Sequence, residues 1–113
     1  MTDARLDYLE LPVGEASASA AFFERAFGWQ FTAFGPTYAA TTTGDVDVGL
    51  QGDPTEQPAA PLPVIRVAAL EDALAAVSAA GGTITKPIFA YPGGRRFHFG
   101  EPGGCELAVY TPA

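Results

Sequence analysis

Between Arg5 and Val13 apolar and polar residues alternate. Leu9, Leu11 and Val13 share one side, and Tyr8, Glu10 and Pro12 the other. That period of two is the mark of a half-buried strand. The period then lengthens. Over residues 16–27, Ala20, Phe23, Ala26 and Phe27 recur at helical spacing, Glu15 or Ser17 can cap the start, and Gly28 can stop the end. Trp29–Phe34, Thr37–Thr43 and Val46–Gln51 read as three short strands, separated by Gly35-Pro36 and Gly44-Asp45 turns. Residues 52–61 hold three prolines and no period, which predicts a linker. After it the order starts again. Leu62–Ala68 is a strand, Leu70–Ala80 a helix with Leu70, Leu74 and Val77 on one stripe, and Thr83–Pro87 a strand. A longer connection over Ile88–Gly94 leads to a hairpin, Arg95–Gly100 and Cys105–Tyr110.

The two halves match in register as well as in order. Leu11 answers to Ile65, Val13 to Val67 and Gly28 to Gly82, each at an offset of 54. A repeat of this length means two copies of one supersecondary unit, and each copy needs a neighbour to bury its apolar surface. The expected fold is α+β: two βαβββ modules forming a curved eight-stranded mixed sheet around a cleft, with the helices outside. Residues 1–113 form a single domain in this reading, with module one at about 5–51, the linker at 52–61 and module two at 62–111.

Composition narrows the class. The chain has 113 residues, 48% of them apolar, and a formal charge of −7 from six basic and 13 acidic side chains. That balance disfavours nucleic acid, whose binders concentrate Lys and Arg. No stretch approaches the roughly 18 apolar residues of a membrane span, and Met1–Arg5 lacks the basic and apolar regions of a signal peptide. The single cysteine, Cys105, cannot build a disulfide framework, and no partner base for it is evident. A cytoplasmic location is expected, without nucleic acid or membrane as partner.

Sheet parity assigns the remaining chemistry. If Leu9, Leu11, Ile65, Val67, Phe97, Phe99, Leu107 and Val109 face the helices, the opposite face carries Tyr8, Glu10, Leu62, Val64, Arg66, Arg96, His98, Glu106, Ala108 and Tyr110. A one-residue bulge would invert a strand. Glu10, His98 and Glu106 are the candidate catalytic groups, since carboxylate and imidazole move protons near neutral pH. Tyr8, Glu10, Arg66, Arg96, His98, Glu106 and Tyr110 are the candidate ligand-binding set. Pro92-Gly93-Gly94-Arg95-Arg96 reads as a mobile turn before an edge strand, with anion binding as the alternative. Asp45 and Asp47 read as solvated turn acids, because the spacing of a calcium loop is missing.

Several segments resemble the glyoxalase/bleomycin resistance/dioxygenase family, the vicinal oxygen chelate superfamily. Tyr8-Leu9-Glu10-Leu11-Pro12-Val13, Ala21-Phe22-Phe23 and Phe27-Gly28-Trp29 are similar to its opening. Ala80-Gly81-Gly82 and Glu101-Pro102-Gly103-Gly104-Cys105-Glu106-Leu107 resemble its second-half helix end and closing turn. The resemblance implies paired modules, a homodimer, and in its enzymes a divalent metal held by His, Gln or Glu on the first and last strands of each module. Carried over by position, those ligand sites fall on Tyr8, Gly49, Leu62 and Ala108. Leu, Gly and Ala cannot ligate, and neutral Tyr ligates poorly. The expectation is therefore a metal-independent protein that binds a small organic molecule, with no metal and no cofactor. The alternative is a lyase, isomerase or dioxygenase whose divalent metal has moved to Glu10, His98 and Glu106.

Overall fold

The computed structural model describes residues 3–113. The chain divides into two compact units, one made of Tyr8–Leu62 and the other of Pro63–Ala113 with the residues up to Asp7. The element order is β1 (Arg5–Pro12), α1 (Ala16–Phe27), β2 (Thr32–Ala33), β3 (Tyr38–Ala40) and β4 (Asp47–Gln51), then β5 (Leu62–Arg66), α2 (Leu70–Ala79), β6 (Thr83–Tyr91), β7 (Gly94–Gly100) and β8 (Glu106–Pro112). Each half is thus β-α-β-β-β, and the strands pair in both parallel and antiparallel fashion, which makes the fold α+β.

The halves share one topology. In the first, β2 pairs β3, β3 pairs β4, and β4 pairs β1 in parallel. In the second, β6 pairs β7, β7 pairs β8, and β8 pairs β5 in parallel. Even the register repeats. Glu10 lies opposite Gly49 and Val64 opposite Ala108. From 10 to 64 the offset is 54, as in the sequence repeat, and from 49 to 108 it is 59, because β6 and β7 are longer than β2 and β3.

A parallel first-to-last pair needs a crossover, and here the helix supplies it. Helices of 12 and 10 residues are marginal alone, so packing holds them. On α1's side, Ala16, Ala39 and Leu50 form a buried cluster with Leu11, Val13, Ala20, Phe23, Phe31 and Val48 packed around it. On α2's side the cluster is Val67, Leu70, Ala73, Phe97, Phe99 and Val109, with Ile65, Leu74, Ile84 and Leu107 against it. The predicted parity therefore holds: the alternating apolar residues of β1, β7 and β8 meet the helices. Gly28 ends α1 in the left-handed conformation, its N–H donating to the Glu24 carbonyl. Glu15 occupies the N-cap position without a side-chain cap bond.

Three expectations need correction. The strand expected to end at Pro87 continues to Tyr91. β6 pairs only with β7, so Pro87 costs no ladder bond on its other side, and register shifts between Ile84 and Phe89 absorb it. Residues 91–94 are consequently a tight hairpin turn, with Tyr91 opposite Gly94, and the following strand β7 is flanked on both sides. Gly94 sits at φ 144°, where an added Cβ would collide with the Thr111 carbonyl oxygen. In the first half, β2 and β3 are shorter than predicted, because the segment around Gly35-Pro36 is a broad bend.

The third correction concerns Asp47, a half-buried clamp rather than a solvated acid. Its Oδ1 accepts from Thr41 Oγ1 (2.7 Å), Thr43 N–H (2.8 Å) and Thr43 Oγ1 (2.8 Å), and its Oδ2 from Gly44 N–H (3.1 Å). Thr41 Oγ1 in turn accepts from Val48 N–H. Burial pushes the Asp47 carboxyl up, but these four donors outweigh it and hold the group below the usual carboxylate range. Asp47→Ala should lower stability by about 2 kcal/mol, the scale of several buried acceptors lost together. Urea unfolding measures this, and a change below about 0.5 kcal/mol would show that the clamp contributes little.

Candidate functional site

Away from its helix, the second unit presents Arg96 and His98 of β7 beside Tyr110, Ala108 and Glu106 of β8. The register fixes this: Arg96 is opposite Tyr110, His98 opposite Ala108, and Gly100 opposite Glu106. β6 adds Phe89 opposite Arg96 and Lys86 opposite His98. Arg66 of β5 lies opposite Tyr110. The neighbouring Arg95 faces the helix side instead and forms a two-pronged pair with Glu71 of α2, at 2.6 and 3.3 Å. The two arginines of this turn, for which anion binding is the alternative reading, thus serve opposite faces.

His98 is the centre of this strip. It is 3% exposed. Its Nδ1 lies 3.3 Å from Glu106 Oε2, and Thr85 Oγ1 donates to that same oxygen at 3.1 Å. A carboxylate only accepts, so Nδ1 carries the proton. Burial pushes the imidazole below its ordinary pKa, and the positive charges of Arg96 and Lys86 push the same way; the Glu106 contact opposes them without prevailing. The ring is therefore neutral at pH 7, and its Nε2 is a bare acceptor. That atom is buried and has no hydrogen-bond partner among the described residues.

Arg96 carries a second such atom, its buried Nε, also without a hydrogen-bond partner among the described residues. Its guanidinium carbon stands 4.8 Å from the Tyr91 ring centroid and 5.2 Å from that of Phe89, a range where cation and ring attract. Phe89 also contacts the His98 ring, with centroids 5.9 Å apart. One aromatic ring thus fixes both polar side chains. At the far end, Tyr110 donates its hydroxyl to Asp7 Oδ2, and Arg5 bridges the other oxygen of Asp7 at 3.2 Å. Burial first, and then Asp7, push the Tyr110 phenol up to about 12, so it stays a donor at physiological pH.

The first unit's corresponding face is different. Tyr8 and Tyr38 join their hydroxyls in a hydrogen bond above Gly49. A Cβ added at Gly49 would collide with both hydroxyls. Glu10, opposite Gly49 in register, is 6% exposed. The positions expected for family metal ligands are thus a tyrosine, a glycine crowded by two phenols, and the buried Leu62 (1% exposed) and Ala108 (0%). Three of these four carry no donor atom, so this set does not fit a divalent metal. Among the described residues there is no group of three or more His, Cys, Asp or Glu side chains able to hold a metal. A depression of about 450 Å³ lies elsewhere, lined by Leu11, Val13, Phe22 and Phe23; it is apolar and shares no residue with the His98 strip.

Asp7, Thr85, Lys86, Phe89 and Tyr91 were not identified from sequence. Thr85 and Lys86 lay in a predicted strand of unassigned facing, and Phe89 and Tyr91 in a predicted connection. The i, i+2 spacing of Phe89 and Tyr91 was the available signal that the strand continues.

The model of the Glyoxalase/Bleomycin resistance protein/Dioxygenase superfamily matches residues 5–109. No curated protein matches the chain. Among solved structures, a glyoxalase/bleomycin resistance protein/dioxygenase superfamily member from Vibrio splendidus 12B01 is 21% identical, covers 97% of this chain and 99% of its own, and has a TM-score of 0.69. Methylmalonyl-CoA epimerase from Mycobacterium tuberculosis is 14% identical, with coverages of 96% and 87% and a TM-score of 0.72. A protein from Legionella pneumophila described as an NAD-dependent benzaldehyde dehydrogenase is 16% identical, with coverages of 94% and 98% and a TM-score of 0.77. At such identities the likeness is one of fold, and a fold hosts many chemistries.

Two outcomes follow from this geometry. His98 has a folded pKa below its unfolded value of about 6.5, so the unfolded chain takes up a proton first. Stability is full above about pH 6.5 and falls as pH drops through that value toward the folded pKa. Chemical unfolding between about pH 7 and 5.5 should show this decline, and His98→Gln should flatten it; an unchanged slope in H98Q would contradict the assignment. Gly49→Ala should cost about 2 kcal/mol through overpacking, and adding Tyr8→Leu should recover much of the loss. An alanine variant as stable as the parent would show that the two tyrosines move aside freely.

Proposed function

The chain belongs to the Glyoxalase/Bleomycin resistance protein/Dioxygenase superfamily, and on that premise we propose that it binds a small organic molecule without a metal. The observation that carries this reading is the His98 arrangement. A buried imidazole is held by Glu106 on one nitrogen and offers an unused acceptor on the other. An unmet buried polar atom costs about 1–3 kcal/mol, and a bound molecule that hydrogen-bonds to it recovers that free energy.

The binding strip is Arg96, His98, Glu106 and Tyr110, with Arg66 beside them. Arg96 supplies charge, Phe89 and Tyr91 supply apolar surface, and Glu106 with Thr85 sets the imidazole tautomer. Tyr8 and Glu10 belong to the same reading as the polar residues of the first module's corresponding face. The donor-poor set at positions 8, 49, 62 and 108 supports metal independence.

Thermal denaturation of chelator-treated protein tests the proposal. Stabilisation by at least one class among carboxylic acids, phenols and aromatic amines is expected, with no comparable effect from zinc, manganese, iron(II) or nickel. Stoichiometric metal in protein purified without chelator, coupled with metal-only stabilisation, would overturn it. No helix among the described residues is long and apolar enough to cross a membrane, so the assay uses protein in plain buffer.

A further inference from the structure

Arg96 and His98 stand two residues apart on one face of β7, about 7 Å between their Cα atoms. Each has one buried polar atom without a hydrogen-bond partner among the described residues, and the two are chemically opposite. Arg96 Nε–H can only donate. His98 Nε2, with the proton on Nδ1 toward Glu106, can only accept. A ligand that satisfies both must present an acceptor to the first and a donor to the second. A bare carboxylate meets Arg96 and leaves Nε2 facing another acceptor. A simple alcohol meets Nε2 and leaves the guanidinium without an anion.

We propose that this pair binds a small hydroxycarboxylic acid, its carboxylate on Arg96 Nε–H and its hydroxyl donating to His98 Nε2. The inference rests on the binding reading above and adds the ligand class to it. Phe89 carries the specificity, because its ring touches both the Arg96 guanidinium and the His98 ring and so fixes how far apart carboxylate and hydroxyl are read. The groups that bear on His98 are Glu106 and Thr85 on its Nδ1 side and the cations Arg96 and Lys86. Burial first, and then those cations, favour the neutral imidazole, which is the form that accepts the hydroxyl. The Glu106 side chain is 39% exposed, whereas that of His98 is 4% exposed.

Calorimetric titration of the full chain at pH 7.5 with three matched probes tests this. Mandelate carries both groups, phenylacetate lacks the hydroxyl, and 1-phenylethane-1,2-diol lacks the carboxylate. Mandelate should bind at least tenfold more tightly than either of the others, and Arg96→Met should remove that preference. His98→Gln, whose amide can still accept, should keep part of it, and His98→Phe should lose it. Equal affinity for mandelate and phenylacetate, or an unchanged preference in R96M, would overturn the inference. The three probes on the parent protein decide the matter even if a variant fails to fold. Stabilisation by some other organic class, with no mandelate binding, overturns this inference and leaves the wider reading standing. No response to any organic probe overturns both.

Discussion

In each half of the chain the first and last strands run side by side in parallel, and most other features depend on that pairing. Parallel neighbours cannot be joined by a tight turn. The chain must leave the sheet, cross as a helix and return, so one face of each module is covered by its helix. Leu50 in the first module and Phe97 in the second, both 0% exposed, belong to the cores beneath those helices. The other face is left for polar chemistry. Since side chains alternate, the register that buries Phe97, Phe99 and Val109 is the one that turns Arg96, His98 and Tyr110 the opposite way. A slip of one residue would put the imidazole among the helix contacts and a phenylalanine in its place.

Two modules of one topology have filled equivalent positions with different chemistry. Gly49 and Ala108 correspond by register, as do Tyr38, opposite Gln51, and Arg96, opposite Tyr110. In the first module the absence of a side chain at 49 makes room for two phenols that bond to each other. In the second, Ala108 lies opposite His98, and the imidazole is turned by Glu106. Asp47 and Glu106 also correspond. The first ties down its own loop through Thr41, Thr43 and Gly44; the second holds a histidine. The same strand position thus serves local structure in one half and a functional arrangement in the other.

Most of the fold was legible in the sequence because its signals are local. The helix ending at Gly28, the strand pattern around Leu9 and Leu11, and the repeat all rest on spacing along the chain. Where legibility failed, the deciding interaction was not local. Pro87 reads as a strand end, yet β6 has no partner on its other side and tolerates it. Asp47 is a different case: its donors lie only three, four and six residues away, but they converge through a loop conformation that no residue pattern marks. The candidate site was legible as a list of residue types, and parity placed Arg96, His98 and Glu106 on one face. That Glu106 bonds Nδ1, or that Phe89 links Arg96 to His98, depends on side-chain geometry that no spacing encodes.

The central claim is that His98 is a neutral imidazole with its proton on Nδ1 and a bare Nε2. It is the chain's one histidine, so its ring nitrogens can be observed without overlap. A long-range proton–nitrogen correlation spectrum of nitrogen-15 histidine-labelled protein at pH 7 reads the tautomer directly. The account predicts a protonated Nδ1 and an unprotonated Nε2, with the Nδ1 tautomer weakened by Glu106→Leu. A ring protonated at Nε2, or a fully charged imidazolium at that pH, would contradict it.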